Sequence, residues 1–484
     1  MASRRGRSAS SDTEPLLSPV STERPTMSGS QDAPGTAAPA AGSLRNQVLA
    51  GVFVTFGGLV AGMTLGYSST AGVKLQNSTL HTTDSEDSLI GSMMPLGALF
   101  GGLVAGWAVE ALGRRSTMVL ITVPGLLGWL LITYATSVGT IIAGRVFTGF
   151  AAGCTSLVAP TYVGEVTEAR IRGTMGASFQ FQVTLGVLLS YVIGKYADWN
   201  YLAMASAFFP VVWLVLVCFI RESPVWLVDK NRELEAHDAL LWLRGTGADV
   251  NAELAQLRRQ NEEIRAKQAS FRNLKQRENL RPLIMSLMLM LLQQLSGINA
   301  VIFYTTDIFK DAGSSIDPNL ATIIVGLVQC LSTFAGVVLV DRLGRKVLLI
   351  LSDVIMGVCL LALGIYFYLS SHDNADNLGW LPLASLMIYI FAFSVGFGPI
   401  PWLMMGELFA PEVKGIASGV ATFFNWTLAF LVTLTFKPLV NGMTEAGVFW
   451  MFTAICLLGA VGVFFFTYET KGRTLEEIQD HFRQ

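Results

Sequence analysis

The chain has 484 residues, of which 52% are hydrophobic and only 14% are charged, and its mean hydropathy is +0.52. A soluble protein of this size carries about a quarter charged residues, so this composition excludes an ordinary soluble globular protein. The net charge of −2 gives no reason to expect a nucleic-acid partner.

The first segment, residues 1–45, is rich in Ser, Pro, Ala and Gly, which is typical of a disordered tail. It has no apolar core followed by a cleavage site, so we do not interpret it as a secretory signal. Its run Asp12-Thr-Glu-Pro-Leu16-Leu17 fits an acidic dileucine sorting signal. Clathrin adaptors bind such signals, which predicts a plasma-membrane protein that cycles through endosomes or lysosomes. The alternative is a chance occurrence of a short pattern.

Apolar runs of roughly 20 residues predict helices that span a bilayer. We place twelve of them, at about 46–68, 88–109, 116–136, 140–163, 173–194, 200–220, 282–304, 318–340, 346–370, 380–404, 414–437 and 445–467. The prediction is therefore an all-α membrane protein that forms two six-helix repeats. Its parts are the tail 1–45, an N-terminal bundle 46–220, a cytosolic helical linker 221–281, a C-terminal bundle 282–468 and a cytosolic tail 469–484.

The distribution of positive charge predicts the orientation of the helices. All but five of the 33 Lys and Arg residues fall on one side when both termini are placed in the cytosol. The five are Lys74, Lys195, Lys310 and Lys437 on the outer side, and Arg145 within a helix. Cytosolic loops carry an excess of Lys and Arg, so both termini are predicted to be cytosolic. The sequon at Asn77 then lies outside, as a candidate glycosylation site.

A short polar phrase occurs twice between apolar runs, and a second acid–base pair also repeats. At the predicted cytosolic helix ends lie Glu110, Arg114, Arg115, Glu165 and Arg172 in the first half, and Asp341, Arg345, Lys346, Glu407 and Lys414 in the second. Repeated charges of this kind suit two halves that lock, release and relock, which favours a transporter. We predict that they form an inner gate, whose partly buried ion pairs bias two states. The alternative is that the basic residues only anchor the topology.

Uncharged amides at membrane depth are a second signal. They are Gln180, Gln293, Gln294, Asn299, Gln329 and Asn425, and Trp402 and Trp426 accompany them. An amide that faces lipid is costly, so we expect these side chains to face the interior. Amides both donate and accept hydrogen bonds, which matches sugar hydroxyls, and indole rings stack on the apolar faces of sugars. The alternative is that the amides only join helices to one another.

Glycine and proline mark two helices that we expect to be broken. Ser296-Gly297 weakens the seventh predicted helix, and the run from Gly396 to Trp402 weakens the tenth. Discontinuous helices at equivalent places in a repeat fold mark binding sites and gates. A different pattern, glycines four residues apart, predicts closely packed helix faces. These glycines are Gly58, Gly62, Gly66, Gly97, Gly101, Gly149 and Gly153.

Three further patterns are missing from the sequence. The five cysteines lie far apart in predicted helices without a CxxC or Cys/His cluster, which predicts buried, inert thiols and no metal site or disulfide framework. We find no phosphate-binding loop and no Ser/His/Asp set, so we expect no cofactor, no nucleotide and no enzymatic activity.

As an ordered set, several motifs resemble those of the sugar porters of the major facilitator superfamily, over residues 46–484. They are Gly106-x3-Glu110-x2-Gly-Arg-Arg, Pro160-x-Tyr162-x2-Glu165-x6-Arg172-Gly, Glu222-Ser-Pro, Gln293-Gln-Leu-Ser-Gly-Ile-Asn299, Gly398-Pro-Ile-Pro-Trp402, Asn425-Trp426 and Glu469-Thr-Lys-Gly-Arg473. Within this family the chain is most similar to the arthropod facilitated trehalose transporters. The runs Thr322–Gln329 and Trp402–Phe409 carry that closer match. Glucose transporters with an N-terminal dileucine are the next most similar group.

The resemblance implies facilitative transport of trehalose or a glucose-like hexose by alternating access. It places Gln180, Gln293, Gln294, Asn299, Trp402 and Asn425 at sugar-contacting positions, and Arg114, Glu165, Arg172, Arg345, Glu407 and Lys414 at the inner gate. Proton-coupled members carry Asp where this chain has Ser68, so the resemblance favours uniport over a proton–sugar symporter. A sugar sensor is a further alternative, which the short C-terminal tail disfavours.

Overall fold

A computed structural model describes residues 43–266, 274, 276–313, 316–372, 377–473 and 475–483. The predicted sorting signal, Asp12 with Leu16 and Leu17, lies outside the described residues. No β-strand occurs in the part of the chain that is described, so the all-α prediction is confirmed.

The helices follow the predicted order, with three short helices in the predicted linker. The N-terminal helices are α1 (Leu44–Gln76), α2 (Asp84–Leu112), α3 (Arg114–Thr133), α4 (Val138–Val166), α5 (Ala169–Tyr196) and α6 (Trp199–Cys218). The linker contains α7 (Pro224–Asp229), α8 (Glu233–Arg244) and α9 (Val250–Ala266). The C-terminal helices are α10 (Arg277–Leu295), α11 (Ile298–Asp311), α12 (Pro318–Leu343), α13 (Arg345–Ser370), α14 (Leu381–Val395), α15 (Ile400–Leu408) and α16 (Pro411–Phe466), and α17 (Leu475–Arg483) follows them.

Eleven stretches of the described chain, rather than the predicted twelve, are long and apolar enough to cross a membrane. The difference lies in α16, whose 56 residues would extend about 84 Å as a straight helix, far more than a bilayer requires. Thr444 breaks this helix with φ 68° and ψ 161°. The break separates the predicted spans 414–437 and 445–467, which are two passes joined without a loop.

The structure confirms both predicted helix breaks. Gly297 separates α10 from α11 and has φ 88°, a left-handed conformation that glycine adopts without strain. A Cβ atom at this position would also lie 2.8 Å from a ring carbon of Phe452. The second break runs from Gly396 to Pro399, between α14 and α15. Both broken helices belong to the C-terminal helices.

The predicted glycine faces are also confirmed as places of close helix packing. At all seven positions an added Cβ atom would come within 3.0 Å of an atom of a neighbouring helix. Gly58, Gly62 and Gly66 of α1 face α5, and the glycines of α2 and α4 face each other. The backbones of these helix pairs therefore lie closer together than any larger residue permits.

The cysteine prediction is correct for four of the five thiols. Cys154, Cys330, Cys359 and Cys456 are buried and free, whereas Cys218 is exposed. Cys218 is the last residue of α6 and is exposed, although the adjacent Val217 is buried. No group of three or more potential metal ligands occurs among the described residues.

In the described part of the chain, the N-terminal and C-terminal helices make their most extensive contacts between α1 and α11, α2 and α16, and α5 and α12. We call the end of the bundle that contains Arg114 and Arg345 the basic end, and the opposite end, with Asp87 and Asp307, the acidic end. Helix α11 runs towards the acidic end. Helix α10, in contrast, begins at the basic end and packs on α15, α16 and α17 of its own group. The two groups of helices therefore converge towards the acidic end.

We expect Gly153→Val to destabilise the protein by about 1–3 kcal/mol, because the side chain would collide with the backbone of Ala98 on α2. The measurement is the apparent melting temperature of the purified full-length protein. Gly102→Val is the matched control, since nothing lies within 4 Å of a Cβ at that position. Equal losses of stability in both variants would contradict the close α2–α4 packing.

Candidate functional site

At the basic end, the repeated phrase has the same backbone geometry in both halves. Gly113 has φ 94° and ψ 166°, and Gly344 has φ 94° and ψ 161°. Each glycine ends one helix and begins the next within a single residue. The following arginine donates its backbone N–H to a distant carboxylate: Arg114 to Glu222 at 2.9 Å, and Arg345 to Glu469 at 3.0 Å. The sequence repeat is therefore a structural repeat.

The same two arginines form the ion pairs of the basic end. The guanidinium group of Arg114 lies 2.7 Å from Glu165 and 3.2 Å from Glu110. That of Arg345 lies 3.0 Å from Glu407. Both arginine side chains are largely buried, as expected for groups that hold helix ends together inside the protein.

These ion pairs do not connect the two halves. Between described residues, every ion pair at the basic end joins helices of the same group, since Arg114, Glu110 and Glu165 lie on α3, α2 and α4, and Arg345 and Glu407 lie on α13 and α15. In the described structure, the predicted gate residues therefore form separate ion pairs in each half, and the gate itself stays a prediction. The physical reason is that Arg114 and Arg345 each reach an acid on a neighbouring helix of their own group.

Three of the other basic residues of the predicted gate bind backbone carbonyls, and the fourth lies over an aromatic ring. Arg172 donates to the carbonyl of Thr167 at 3.1 Å rather than to Glu165, and Lys414 donates to that of Gly406 at 2.8 Å. The side chain of Arg115 donates to the carbonyl of Cys218 at 3.0 Å. The ammonium group of Lys346 lies 5.4 Å from the ring centre of Phe464. The side chain of Asp341 lies outside the described part of the chain.

Four of the predicted amides form a continuous hydrogen-bonded chain at the break between α10 and α11. Gln293 donates to the carbonyl of Phe397 at 2.6 Å, and Asn425 donates to Gln293 at 2.9 Å. Gln294 donates to Asn425 at 3.0 Å, and Asn299 donates to Gln294 at 2.5 Å. The chain joins α10, α11, α16 and the unwound segment between α14 and α15. We call these four residues the amide chain.

The local backbone explains why these amides meet. The left-handed turn at Gly297 ends α10 and starts α11, which brings Asn299 back within reach of Gln294. Ser296 caps the end of α10 by donating to the carbonyl of Gln293 at 2.7 Å, and its own carbonyl accepts from Tyr389 at 3.1 Å. The broken helix therefore creates both the free backbone groups and the side-chain positions of the site.

The remaining predicted residues are not bonded to the amide chain. Gln180 is exposed on α5, between Phe179, which packs on α1, and Phe181, whose ring lies 4.5 Å from that of Phe334 on α12. Gln180 is therefore the one predicted amide whose side chain is exposed, between two helices that its neighbours contact. Gln329 is buried, and Trp402 and Trp426 are half-buried. The indole N–H of Trp426 is buried and has no hydrogen-bond partner among the described residues.

The structure also places polar residues whose roles the sequence did not assign. Arg145 is completely buried and donates to Ser68 at 2.8 Å and to the carbonyl of Thr64 at 2.9 Å. Asp353 on α13 is buried, and neither of its carboxyl oxygens has a hydrogen-bond partner in the described structure. Gln182 is buried two residues beyond Gln180 and donates to Thr55 of α1 at 2.8 Å. In each case the only indication in the sequence was a charged or amide residue inside an apolar run.

Double substitutions test the grouping of the charges at the basic end. We expect Arg114→Met and Glu165→Gln to be non-additive in thermal stability, with a coupling of about 0.5–3 kcal/mol, because they remove the same pair. Arg114→Met with Glu407→Gln should be additive, because those residues belong to different halves. Coupling in the second combination would contradict the separation of the two groups.

Comparison with known proteins agrees with this architecture. A family model described as "Sugar (and other) transporter" matches residues 49–482. The chain is 46% identical over 439 residues to the facilitated trehalose transporter Tret1 of Polypedilum vanderplanki, which covers 90% of this chain and 87% of that protein. It is 44% identical over 440 residues to the facilitated trehalose transporter Tret1 of Culex quinquefasciatus. That match covers 90% of this chain and 85% of the Culex protein. It spans only 54% of the longer Aedes aegypti relative, at 45% identity.

The fold is similar to that of solved sugar transporters. An inward-open structure of the xylose transporter XylE from E. coli has a TM-score of 0.75 at 24% identity, with 89% of this chain and 98% of that chain covered. A structure of the major facilitator superfamily proton:xylose symporter XylE bound to 6-bromo-6-deoxy-D-glucose has a TM-score of 0.72 at 24% identity, with 90% and 99% covered. The family match over residues 49–482 and the similarity to Tret1 show that the chain belongs to the sugar transporter family.

Proposed function

We propose that this protein is a facilitative sugar carrier that moves trehalose, or a glucose-like hexose, down its concentration gradient by alternating access. The observation that carries the proposal is the amide chain at the broken helix. Four neutral amides converge on a point where two helices lose their regular backbone bonds. Such a site offers donors and acceptors without a fixed charge, which suits an uncharged polyhydroxylated molecule.

The amide chain is held in place before any ligand binds. Each amide carries two donor hydrogens and an oxygen with two lone pairs, and the bonds within the chain use only part of this capacity. The unpaired N–H of Trp426 adds a donor, and the indole rings of Trp426 and Trp402 supply apolar surface for a sugar face. Gln180 and Gln329 would contribute from α5 and α12, on opposite sides of the boundary between the halves.

Uniport is supported by the surroundings of Arg145. Its guanidinium group donates to the hydroxyl of Ser68, which is the position where proton-coupled members of the family carry Asp. A serine hydroxyl does not titrate near neutral pH, so this position cannot carry a proton across with the sugar. The alternative, proton–sugar symport, needs a different titratable group. An enzymatic role is not part of the proposal, because the family and its relatives are transporters.

The charge distribution supports an orientation, and the dileucine run supports a location. We propose that the basic end faces the cytosol, as the excess of Lys and Arg indicates, so the described conformation is closed towards the outside. Asn77 is exposed just after α1, where a glycan could be attached. The dileucine run with Asp12, Leu16 and Leu17 would bind clathrin adaptors and return the carrier from the plasma membrane to endosomes or lysosomes.

Uptake of labelled trehalose and labelled glucose, compared in oocytes at two external pH values, tests the proposed function. Leu16→Ala with Leu17→Ala should keep the carrier at the surface. We expect saturable trehalose uptake that does not change with pH. If only glucose is taken up, the proposed mechanism stands and the proposed substrate becomes a hexose. Faster uptake at acidic external pH would contradict uniport.

We expect Gln293→Ala to lower kcat/KM for sugar uptake by about 10- to 100-fold, because it removes sugar contacts and leaves Asn425 without its acceptor. Gln182→Ala is the matched control, since Gln182 joins α5 to α1 and has no bond to the amide chain. It should lower stability and leave KM unchanged. Unchanged uptake by Gln293→Ala at all sugar concentrations would refute the site.

Replacement of Ser68 tests the basis of uniport. Ser68→Asp places a titratable carboxylate beside Arg145, so we expect uptake to become dependent on an inward proton gradient. Ser68→Asn is the neutral control of similar size and should remain insensitive to pH. If the Asp variant is also insensitive, the pairing of Arg145 with residue 68 does not decide proton coupling.

A further inference from the structure

The acidic end contains a buried ion pair between the two halves. The ammonium group of Lys437 on α16 binds a carboxylate oxygen of Asp87 on α2. Asp84 on α2 lies 3.7 Å from the same ammonium group, and Asp307 on α11 lies 3.8 Å from it. Lys437 and Asp307 belong to the C-terminal helices, whereas Asp84 and Asp87 belong to the N-terminal helices.

Because this ion pair is buried, separating its two charges is costly. Lys437 is 9% exposed and Asp87 is 3% exposed, so neither charge can exchange its partner freely for water. A buried charge that loses its partner is strongly destabilising, whatever the net stability of the pair itself. The pair therefore penalises any movement that separates α2 from α16 without replacing the lost contact.

Further contacts join the two halves around the pair. On the same side of the bundle, the hydroxyl groups of Ser69 and Thr306 lie 3.0 Å apart, and Tyr191 donates to the carbonyl of Ile302 at 2.9 Å. The ring of Tyr304 lies under Lys437, with 5.5 Å between the ammonium nitrogen and the ring centre. A polar cavity of about 210 Å³ reaches the cluster and is lined by Gln76, Asp84, Asp307, Lys437, Asn441 and Glu445.

Asp307 is placed differently from Asp87. It is 8% exposed, and its oxygen nearest to Lys437 accepts no hydrogen bond from any described residue. It also lies in the same group of helices as Lys437. When the halves separate, Asp87 leaves with α2, whereas Asp307 stays beside the ammonium group and can accept it.

We propose that Asp87, Lys437 and Asp307 form a gate at the acidic end, in which Lys437 changes partner from Asp87 to Asp307 as that end opens. The inference rests on the proposed alternating access. Asp87 stabilises the closed state, because it pairs with Lys437 only while the halves are together. Asp307 stabilises the open state, because it keeps the lysine paired after Asp87 has left. The two carboxylates therefore act on the gate in opposite directions.

Substitution of each carboxylate by its amide gives the distinguishing result. Asp87→Asn should favour the open state, since Lys437 then loses its nearest carboxylate in the closed state and keeps Asp307 in both states. Asp307→Asn should favour the closed state, since Lys437 has no buried partner once the halves separate. A cluster that served only to stabilise the fold would respond to both substitutions in the same direction.

Opening is measured by the rate of cysteine labelling, which does not depend on transport. Ser88→Cys reports on the closed interface, because Ser88 is 1% exposed on α2, one turn beyond Asp84. Cys218→Ser removes the exposed native thiol, and the other four cysteines are buried. The full-length protein in nanodiscs is treated with a bulky maleimide, with denatured protein as the reference for complete labelling. We expect about tenfold faster labelling with Asp87→Asn, and labelling no faster than the parent with Asp307→Asn.

Controls make the experiment decisive. Glu445→Gln removes a carboxylate from the same cavity without an ion pair to Lys437, and it should leave the labelling rate unchanged. Lys437→Met is a second route to an open gate, because the facing carboxylates then repel one another; it should also label faster. Equal acceleration by Asp87→Asn and Asp307→Asn, or no change with Asp87→Asn and Lys437→Met, would overturn the gate. If labelling follows these expectations but the parent protein transports no sugar, the proposed function is refuted and the gate still stands.

Discussion

A polar group inside a bilayer needs a partner within the protein, because the hydrocarbon offers none. This constraint explains why the helix break and the candidate site occur in one place. The turn at Gly297 interrupts the backbone bonds of the helix, and the unwound segment at Phe397 leaves carbonyls free. Gln293 donates to those carbonyls and connects them to the other amides. The groups that could contact a sugar are the same groups that make the broken helices tolerable.

The two halves repeat the same device at the basic end but differ in the middle of the bundle. Gly113 and Gly344 have almost identical backbone angles, and the arginine after each one binds acids of its own half. The amide chain, in contrast, belongs entirely to the C-terminal helices. At membrane depth the N-terminal helices hold a buried cation, Arg145, with Ser68 beside it. A sugar bound to the amide chain would therefore move with one half while the other half closes over it.

Features set by short stretches of sequence were predictable. The lengths of the apolar runs predicted the membrane helices, and the glycines four residues apart predicted the closely packed helix faces. Gly297 predicted one of the helix breaks. Partners across space were not predictable to the same degree, because they depend on the rotation and depth of each helix. Gln180 and Gln182 lie two residues apart on α5, yet one is exposed and the other is buried against α1. Arg172 and Lys414 reach nearby carbonyls rather than the acids seven residues earlier, since a helix end leaves carbonyls unpaired within reach.

The contrast between the two ends shows how repeated charges can serve a moving protein. Ion pairs within one half, such as Arg114 with Glu165, keep their partners in any rigid-body movement of that half and do not oppose it. An ion pair between halves must break during the movement, and when it is buried its loss is costly unless another partner is present. Only the second kind can bias which end is open. In the described structure a buried pair of that kind lies at the acidic end, where Lys437 faces carboxylates from both halves. The arginines that repeat in the sequence therefore give each half its rigidity, and a lysine outside the repeat carries the dependence on conformation.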